Sequence, residues 1–445
     1  MRSAMWLLGA AVGIIFAVCA TAEEPLTGLL HADERANPGY TLLAPISSTS
    51  TYLVDVAGKV VHRWESDAGA GNAAYLLENG NLLRTESVAP TGRRTFDRGG
   101  AGGRVREIAP DGTVVWEFVL SDEFGRLHHD VDVLPNGNVL MIAWEIRSAE
   151  EAIAAGRDPE MLRDGELWPD RILEVQPTPP SGGRVVWEWR VWDHVIQDHD
   201  PTKENYGDVS AHPERIDLNF ASAGGPADWN HTNSVAYNSR LDQIVLSVHE
   251  FSEIWVIDHS TTMGEAAGHD GGRFGRGGDL LYRWGNPQAY RAGTQSDQIL
   301  YGQHDAQWID EDLPGAGNLL LFNNGFHRPG DPWSAAAEIT PPVTEDGTYV
   351  IQNGRTYGPK LPTWQYASAD IYSPNISGAQ RLPNGNTLIC SGAGGCLTEV
   401  TQDGTVVWLY VNPFAVRQGG TLHREVFKVR RYERDHPGIL MLLDG

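Results

Sequence analysis

Along most of the chain, short stretches alternate apolar with polar residues and break at tight-turn pairs, a pattern of half-buried strands and not of helices. One kind of stretch ends in tryptophan: Val60-Val61-His62-Arg63-Trp64, Val114-Val115-Trp116, Val185-Val186-Trp187, Leu281-Tyr282-Arg283-Trp284, Leu361-Pro362-Thr363-Trp364 and Val406-Val407-Trp408. Asp111-Gly112 and Asp403-Gly404 precede two of them and supply the positive φ that a two-residue hairpin needs. A second kind of hairpin lies between these stretches. It is clearest at Leu134-Pro135-Asn136-Gly137-Asn138 and Leu382-Pro383-Asn384-Gly385-Asn386, repeats at Glu78-Asn79-Gly80-Asn81, and is weaker at Gly317-Asn318 and Asp435-His436-Pro437-Gly438.

Inner hairpin, outer hairpin ending in tryptophan, then the next inner hairpin gives four strands per unit, which predicts an all-β, six-bladed β-propeller. The last unit has only an inner hairpin, at about Val426–Leu443, so its outer pair is expected from the N-terminal strands at about Tyr40–Trp64. Pairing of the two ends then closes the ring. Insertions fall at about Ile146–Asp170, Val191–Asp228 and His259–Asp279, with one short helix expected over Ser148–Ala155.

Residues 1–22 read as a secretory signal peptide: Met1-Arg2, an apolar run from Ala4 to Ala20, and the small-residue site Ala20-Thr21-Ala22. Residues 23–445 are then a single exported domain, periplasmic or secreted, and no later run has the length of a membrane span. Cys390 and Cys396 remain, either bridged across a short loop or standing as separate thiols on neighbouring strands. They are expected at the inner-strand end away from Ser377, with no part in chemistry. The net charge of −24 excludes a nucleic-acid partner, which requires a basic face.

Aligning three inner strands on their turns at Asn79, Asn136 and Asn384, and the other three by apolar pattern, places Asn72, His129, His231, His304, Ser377 and His423 at equivalent positions, and four of these six are histidine. In a propeller that position lines one mouth of the central channel, where several blades present side chains to one small ligand. His249 and Arg328 lie at or beyond the following strand ends and are candidates for the same mouth. Trp229 and Trp308 are the expected aromatic walls. Two other clusters stand apart from the ring: Asp193, His194, Asp198, His199 and Asp200 in one insertion, and the glycine-rich 271–278 segment, which lacks the lysine and strand-to-helix setting of a phosphate loop.

The motifs Trp229-Asn230-His231-Thr232-Asn233-Ser234 and Gln303-His304-Asp305-Ala306-Gln307, with the spacing of His129, His231 and His304, resemble the bacterial arylsulfate sulfotransferase family over most of the mature chain. The resemblance implies an exported six-bladed propeller. It also implies transfer of a sulfuryl group from a phenolic sulfate ester to a phenol through a sulfated histidine, without a nucleotide sulfate donor. On this chain His304 resembles the nucleophile, His129 and His231 the flanking groups, and Asn233 a further hydrogen-bond donor. Two departures stand out. His249 occupies the place where an arginine is expected, and the cysteine pair expected shortly before the nucleophile is absent.

Three chemistries are open at this stage. A neutral imidazole is a competent nucleophile, a second histidine is a natural proton donor to a phenoxide, and donors aimed at the sulfuryl oxygens stabilise the transition state. This route needs no metal and no cofactor, only small aromatic sulfate and phenol substrates. Alternatively, His129, His231, His249 and His304 hold a transition metal for a lyase, hydrolase or oxygenase. The third possibility is a non-catalytic propeller that binds a ligand on one face.

Overall fold

A computed structural model describes residues 26–92, 96–162, 164–220, 227–352, 356–418 and 421–443. The expected signal peptide lies outside them. Six four-stranded antiparallel sheets form the blades of a propeller. Blade 1 comprises Ala70–Leu76, Leu82–Ser87, Gly103–Ile108 and Val114–Val119. Blade 2 comprises Gly125–Val133, Val139–Glu145, Asp170–Pro177 and Gly183–Arg190. Blade 3 is built from Thr232–Asn238, Gln243–Val248, Glu253–Asp258 and Tyr282–Trp284. Blade 4 is built from His304–Trp308, Leu319–Asn323, Ser334–Ile339 and Trp364–Ser368. Blade 5 contains Gly378–Arg381, Thr387–Ser391, Cys396–Val400 and Val406–Val411, with Gly28–Ala32 added as a fifth strand on its outer edge.

Blade 6 closes the ring with one C-terminal strand, Arg430–Tyr432, beside three N-terminal ones, Tyr40–Leu43, Ser50–Asp55 and Val60–Glu65. The pairing of Tyr40 with Tyr432 and Leu42 with Arg430 joins the two ends of the chain. The expected C-terminal hairpin is thus corrected to a single strand followed by a helix, Pro437–Leu443. Its reason is local. Proline at the first helical position costs no hydrogen bond, and Ile439, Leu442 and Leu443 recur at helical spacing to pack against Trp64, Leu76 and Leu82.

The tryptophan that marks each outer strand does more than fill the core. Trp116 donates its indole N–H to Gly182 O, Trp187 to Thr261 Oγ1, Trp284 to Pro359 O, Trp364 to Gln402 O and Trp408 to Val56 O. Each partner belongs to the following blade or its insertion, so these bonds clamp neighbouring outer edges. The inner strands are stitched in the same way. Asn233 donates to Gln303 O, Gln307 to Ala379 O, Gln380 to Arg431 O and Tyr75 to Asp130. The helix in the first insertion spans Ala149–Ala154 with Ser148 as its cap, as expected.

Cys390 and Cys396 are separate thiols on adjacent strands, the second of the two alternatives. Cys390 pairs with Gly378, so it sits at the Ser377 end of its blade and not at the far end. It is buried, and burial pushes its thiol well up from the usual range, which removes the thiolate that reactivity requires.

Blades 2 and 3 also share His259, whose Nδ1 meets Asp242 at 2.7 Å and whose Nε2 meets Glu174 at 3.1 Å. Burial opposes its charge, but the two carboxylates hold its pKa up to about 9. A pKa raised above the unfolded value contributes stability that is complete below about 6.5 and lost as pH rises through about 9. The melting temperature should therefore fall between pH 7 and 10, and His259→Gln should flatten that fall. Equal slopes for both proteins would contradict the assignment.

Candidate active site

His129, His231 and His304 stand together at one mouth of the channel, and His249 joins them from the second strand of blade 3. Ring centroids are 4.6 Å apart for His129 and His231, 5.4 Å for His231 and His249, and 5.4 Å for His249 and His304. The inner strands of blades 2, 3 and 4 each bulge at this point, which re-aims the side chains out of the pleat. His129 (φ 54°), His231 (φ 51°), Asp305 (φ 57°) and Ser377 (φ 92°) adopt the left-handed region. Such backbone costs about 1–3 kcal/mol per residue and concentrates at functional sites.

His304 has a defined tautomer. Asn324 donates its amide N–H groups to Ser373 O and Ile376 O, both at 2.8 Å, which turns its Oδ1 toward His304 Nδ1, also at 2.8 Å. Gly302 O is the other neighbour of that nitrogen, at 3.2 Å. Two acceptors at Nδ1 require the proton there and leave Nε2 with a bare lone pair. Burial, and then His249 beside it, push the His304 pKa well below its usual value, so the ring is neutral.

His231 is the opposite case. Its Nδ1 is hydrogen-bonded to Asp228, which also accepts the indole N–H of Trp144 at 2.9 Å. Burial works against the charge, yet the Asp228 carboxylate holds the His231 pKa up to about 9. The site thus carries an imidazolium at neutral pH despite lacking an arginine at the His249 position.

Behind His129 lies a buried chain. His129 Nδ1 is 2.9 Å from His128 Nδ1, and His128 Nε2 is 3.1 Å from Asp170, which also accepts from Asn230 (2.6 Å) and the Thr232 backbone (2.5 Å). Burial, followed by the neighbouring His231, pushes His129 well below its usual pKa. His128 donates Nε2–H to Asp170, and one proton lies between the two Nδ1 atoms, so His129 is held through its Nδ1. His249 completes the set, with its Nδ1 2.9 Å from Glu250. All four histidines are therefore anchored through Nδ1, and Nε2 is the atom each has available for a sulfuryl group or a metal.

The remaining expected residues are placed differently. Asn233 is fully buried and commits an N–H to Gln303 O at 2.8 Å, so it holds the backbone just before His304. Arg328 donates to Trp333 O and stacks on Trp333 and Tyr301, away from the role of a sulfuryl clamp. Trp229 is corrected from a wall to a core residue: it is buried, donates to Phe220 O and packs on Phe251. Trp308 lies four residues beyond His304, roughly 13 Å along the strand. It lines a cavity of about 290 Å³ at the other mouth, with Tyr75, Asp132, Tyr237 and Arg430. Between the two mouths a buried ion cluster joins Lys428 to Asp130 (2.6 Å) and Asp305 (3.1 Å), and Arg430 to Asp305 (2.8 Å). His423 does not reach the ring. It lies in a separate two-stranded ribbon, and Phe427 takes the sixth place, with ring centroids 5.7 Å from His129 and 6.2 Å from His304.

Gly100 closes over His129 with φ +84°, and its carbonyl accepts the His129 N–H at 2.9 Å. A Cβ built there would enter the imidazole. Gly100→Ala should therefore displace His129 and cost on the order of 10²-fold in activity, the usual cost of misplacing a catalytic group by about 1 Å. Undiminished turnover in that variant would show that His129 is not needed where it stands.

Fold and site together define a six-bladed propeller with an anchored histidine cluster at one channel mouth. The family model described as Arylsulfotransferase (ASST) matches residues 30–408, and the chain belongs to that family. Membership of that family makes it an aryl sulfotransferase in general terms. No curated protein matches the chain. Among solved structures it is similar to a Bacteroides caccae protein of unknown function, at 12% identity over 89% of this chain and 99% of that one, with a TM-score of 0.46. It is also similar to the β-propeller domain of Cps50 (Swd1) from Myceliophteria thermophila, at 8% identity over 93% and 98% of the two chains and a TM-score of 0.42. A virginiamycin B lyase from Staphylococcus aureus is similar at 11% identity over 87% and 89%, with a TM-score of 0.36.

Proposed function

We propose that this protein moves a sulfuryl group from a phenolic sulfate ester to a phenolic acceptor through a sulfohistidine at His304, without a nucleotide donor or cofactor. The observation that carries the reading is the Asn324-locked tautomer of His304, which keeps a neutral, bare Nε2 in the same cluster as the cationic His231, with His249 between them. In the first half-reaction Nε2 forms a bond to sulfur as the sulfur–aryl oxygen bond breaks. The departing phenoxide takes a proton from His231, whose pKa of about 9 lies close to that of a phenol, near 10. The second half-reaction is the reverse with a new phenol. Neutral His231 takes the acceptor's proton, the phenol oxygen attacks sulfur, and the His304 bond breaks.

Until it gives its proton to the phenoxide, the His231 imidazolium also stabilises charge on the sulfuryl oxygens, with His249 and His129 beside it. His128 and Asp170 act as positioning residues that orient His129. The segment 1–22 supports export to the periplasm or beyond, where phenolic sulfates are met without a cytosolic nucleotide donor.

The direct test is incubation with a chromogenic phenyl sulfate and a second phenol, with and without chelator, alongside metal analysis. The expected result is ping-pong kinetics, one acceptor sulfated per donor consumed, and no effect of chelator. Loss of activity with loss of a metal held by His129, His231, His249 and His304 would replace this reading with the metalloenzyme one.

A further inference from the structure

Two insertions that the transfer chemistry leaves unused meet on the outer side of blades 2 and 3. His194 closes a short turn, Val191–His194, after the last strand of blade 2. His269 follows the short helix Met263–Ala266, and Asp279 follows the glycine-rich segment 271–278. Nδ1 of His194 and Nδ1 of His269 each lie 2.9 Å from the same oxygen, Asp279 Oδ1, and one ligating atom from each residue falls within 4.8 Å of the others.

The hydrogen bonds of His194 point one ring nitrogen out to the backbone and the other in at the cluster. Its Nε2 faces Ala266 O at 2.9 Å, so that nitrogen carries the proton, while its Nδ1 faces a carboxylate. Both partners are acceptors. The side chain is fully buried, with its ring stacked at 5.5 Å against Trp189. A histidine that gives its outer N–H to a backbone carbonyl and turns the other nitrogen inward has the outer-sphere arrangement of metal-bound imidazole. The loop is shaped around that ring: a Cβ at Gly278 would lie 2.6 Å from His194 Nε2. Arg215 lies 3.5 Å from Asp279 but directs its N–H groups to His194 O and Val195 O, the place of an outer partner to a ligating carboxylate. His269 is about half exposed and leaves a path from solvent and room for a water ligand.

We propose that His194, His269 and Asp279 bind one divalent transition-metal ion, with two imidazole nitrogens, one carboxylate oxygen and water, a donor set suited to Zn²⁺. The ion ties the insertion after blade 2 to the long loop of blade 3. It is distinct from the histidine ring and takes no part in sulfuryl transfer.

The test uses the full-length protein loaded with Zn²⁺ and desalted, then titrated against a chromogenic chelator, with Co²⁺ substitution as a second probe. The expected results are one tightly held Zn²⁺ per chain, a four-coordinate Co²⁺ absorption band, and a melting temperature lowered by chelator. His269→Ala, an accessible position, should weaken Zn²⁺ about 100-fold or more and abolish the chelator effect, and Asp279→Asn should do the same. A His129→Ala, His231→Ala double variant should keep the metal. The proposal is overturned by the absence of saturable Zn²⁺ binding, by undiminished binding in His269→Ala, or by loss of metal in the ring double variant.

Discussion

His304→Ala is expected to abolish both donor consumption and acceptor sulfation, with a loss of roughly 10⁴-fold or more, the scale on which removal of a covalent nucleophile acts. Both half-reactions pass through the same nitrogen, so neither survives. Fold is not at issue, because the side chain lies at the channel mouth and its backbone is held by Asn233 from the neighbouring strand. The tautomer argument adds a graded companion. Asn324→Leu keeps the His304 ring but removes the nearer of the two acceptors that hold the proton on Nδ1, leaving Gly302 O at 3.2 Å. A fraction of His304 then carries the proton on Nε2, and turnover should fall by about 10²-fold without a comparable rise in KM. If His304→Ala consumed donor at a rate near wild type, a different nucleophile would be required.

Asp228→Asn should give the second large effect, on the order of 10²- to 10³-fold in kcat/KM, the scale of losing one preorganised charge in a transition state. It acts through His231. Burial alone would depress that imidazole, and the Asp228 carboxylate overcomes it to hold the pKa up to about 9. In the wild type the protonated His231 should keep kcat/KM on a plateau up to about pH 9, above which activity falls. His304, held well below its usual pKa, should stay neutral and nucleophilic into the acid side of the ordinary histidine range. In Asp228→Asn the alkaline limit should move down toward neutrality. A profile with the same alkaline limit in both proteins would remove His231 from the role of cation and acid.

Much of this architecture was legible in the residues, for physical reasons that differ by element. The Asn-Gly and Asp-Gly turns demand positive φ, and Gly80, Gly112, Gly137, Gly385 and Gly404 all adopt it. Five of the six outer tryptophans, all but Trp64, clamp the next blade, and that makes them rulers of the repeat. His129 is legible because its strand begins at a fixed distance from the Asn136-Gly137 turn, and His231 and His304 because their strands share its apolar pattern.

The register fails in the last blade, where the repeat is poorest: His423 matches only a weak apolar pattern and Phe427 fills the place, and Pro437 begins a helix where a strand is expected. Trp229 precedes His231 by two residues in sequence but turns into the core, a direction that periodicity does not report. The residues that set protonation, Asp228, Asn324, His128 and Asp170, were not singled out. Asp170 and Asn324 come from other strand ends, and nothing in a one-dimensional repeat signals that two carbonyls will fix the rotation of an amide.

The central claim is that the sulfuryl group rests on His304. It is tested most directly by mixing the protein with excess 4-nitrophenyl sulfate in the absence of acceptor, quenching under alkaline conditions, and mapping peptides by mass spectrometry. A mass increase of one sulfuryl group, about 80 Da, on the peptide containing Gln303-His304-Asp305 is predicted, acid-labile and discharged by added phenol. An unmodified His304 peptide during steady consumption of the donor would contradict it.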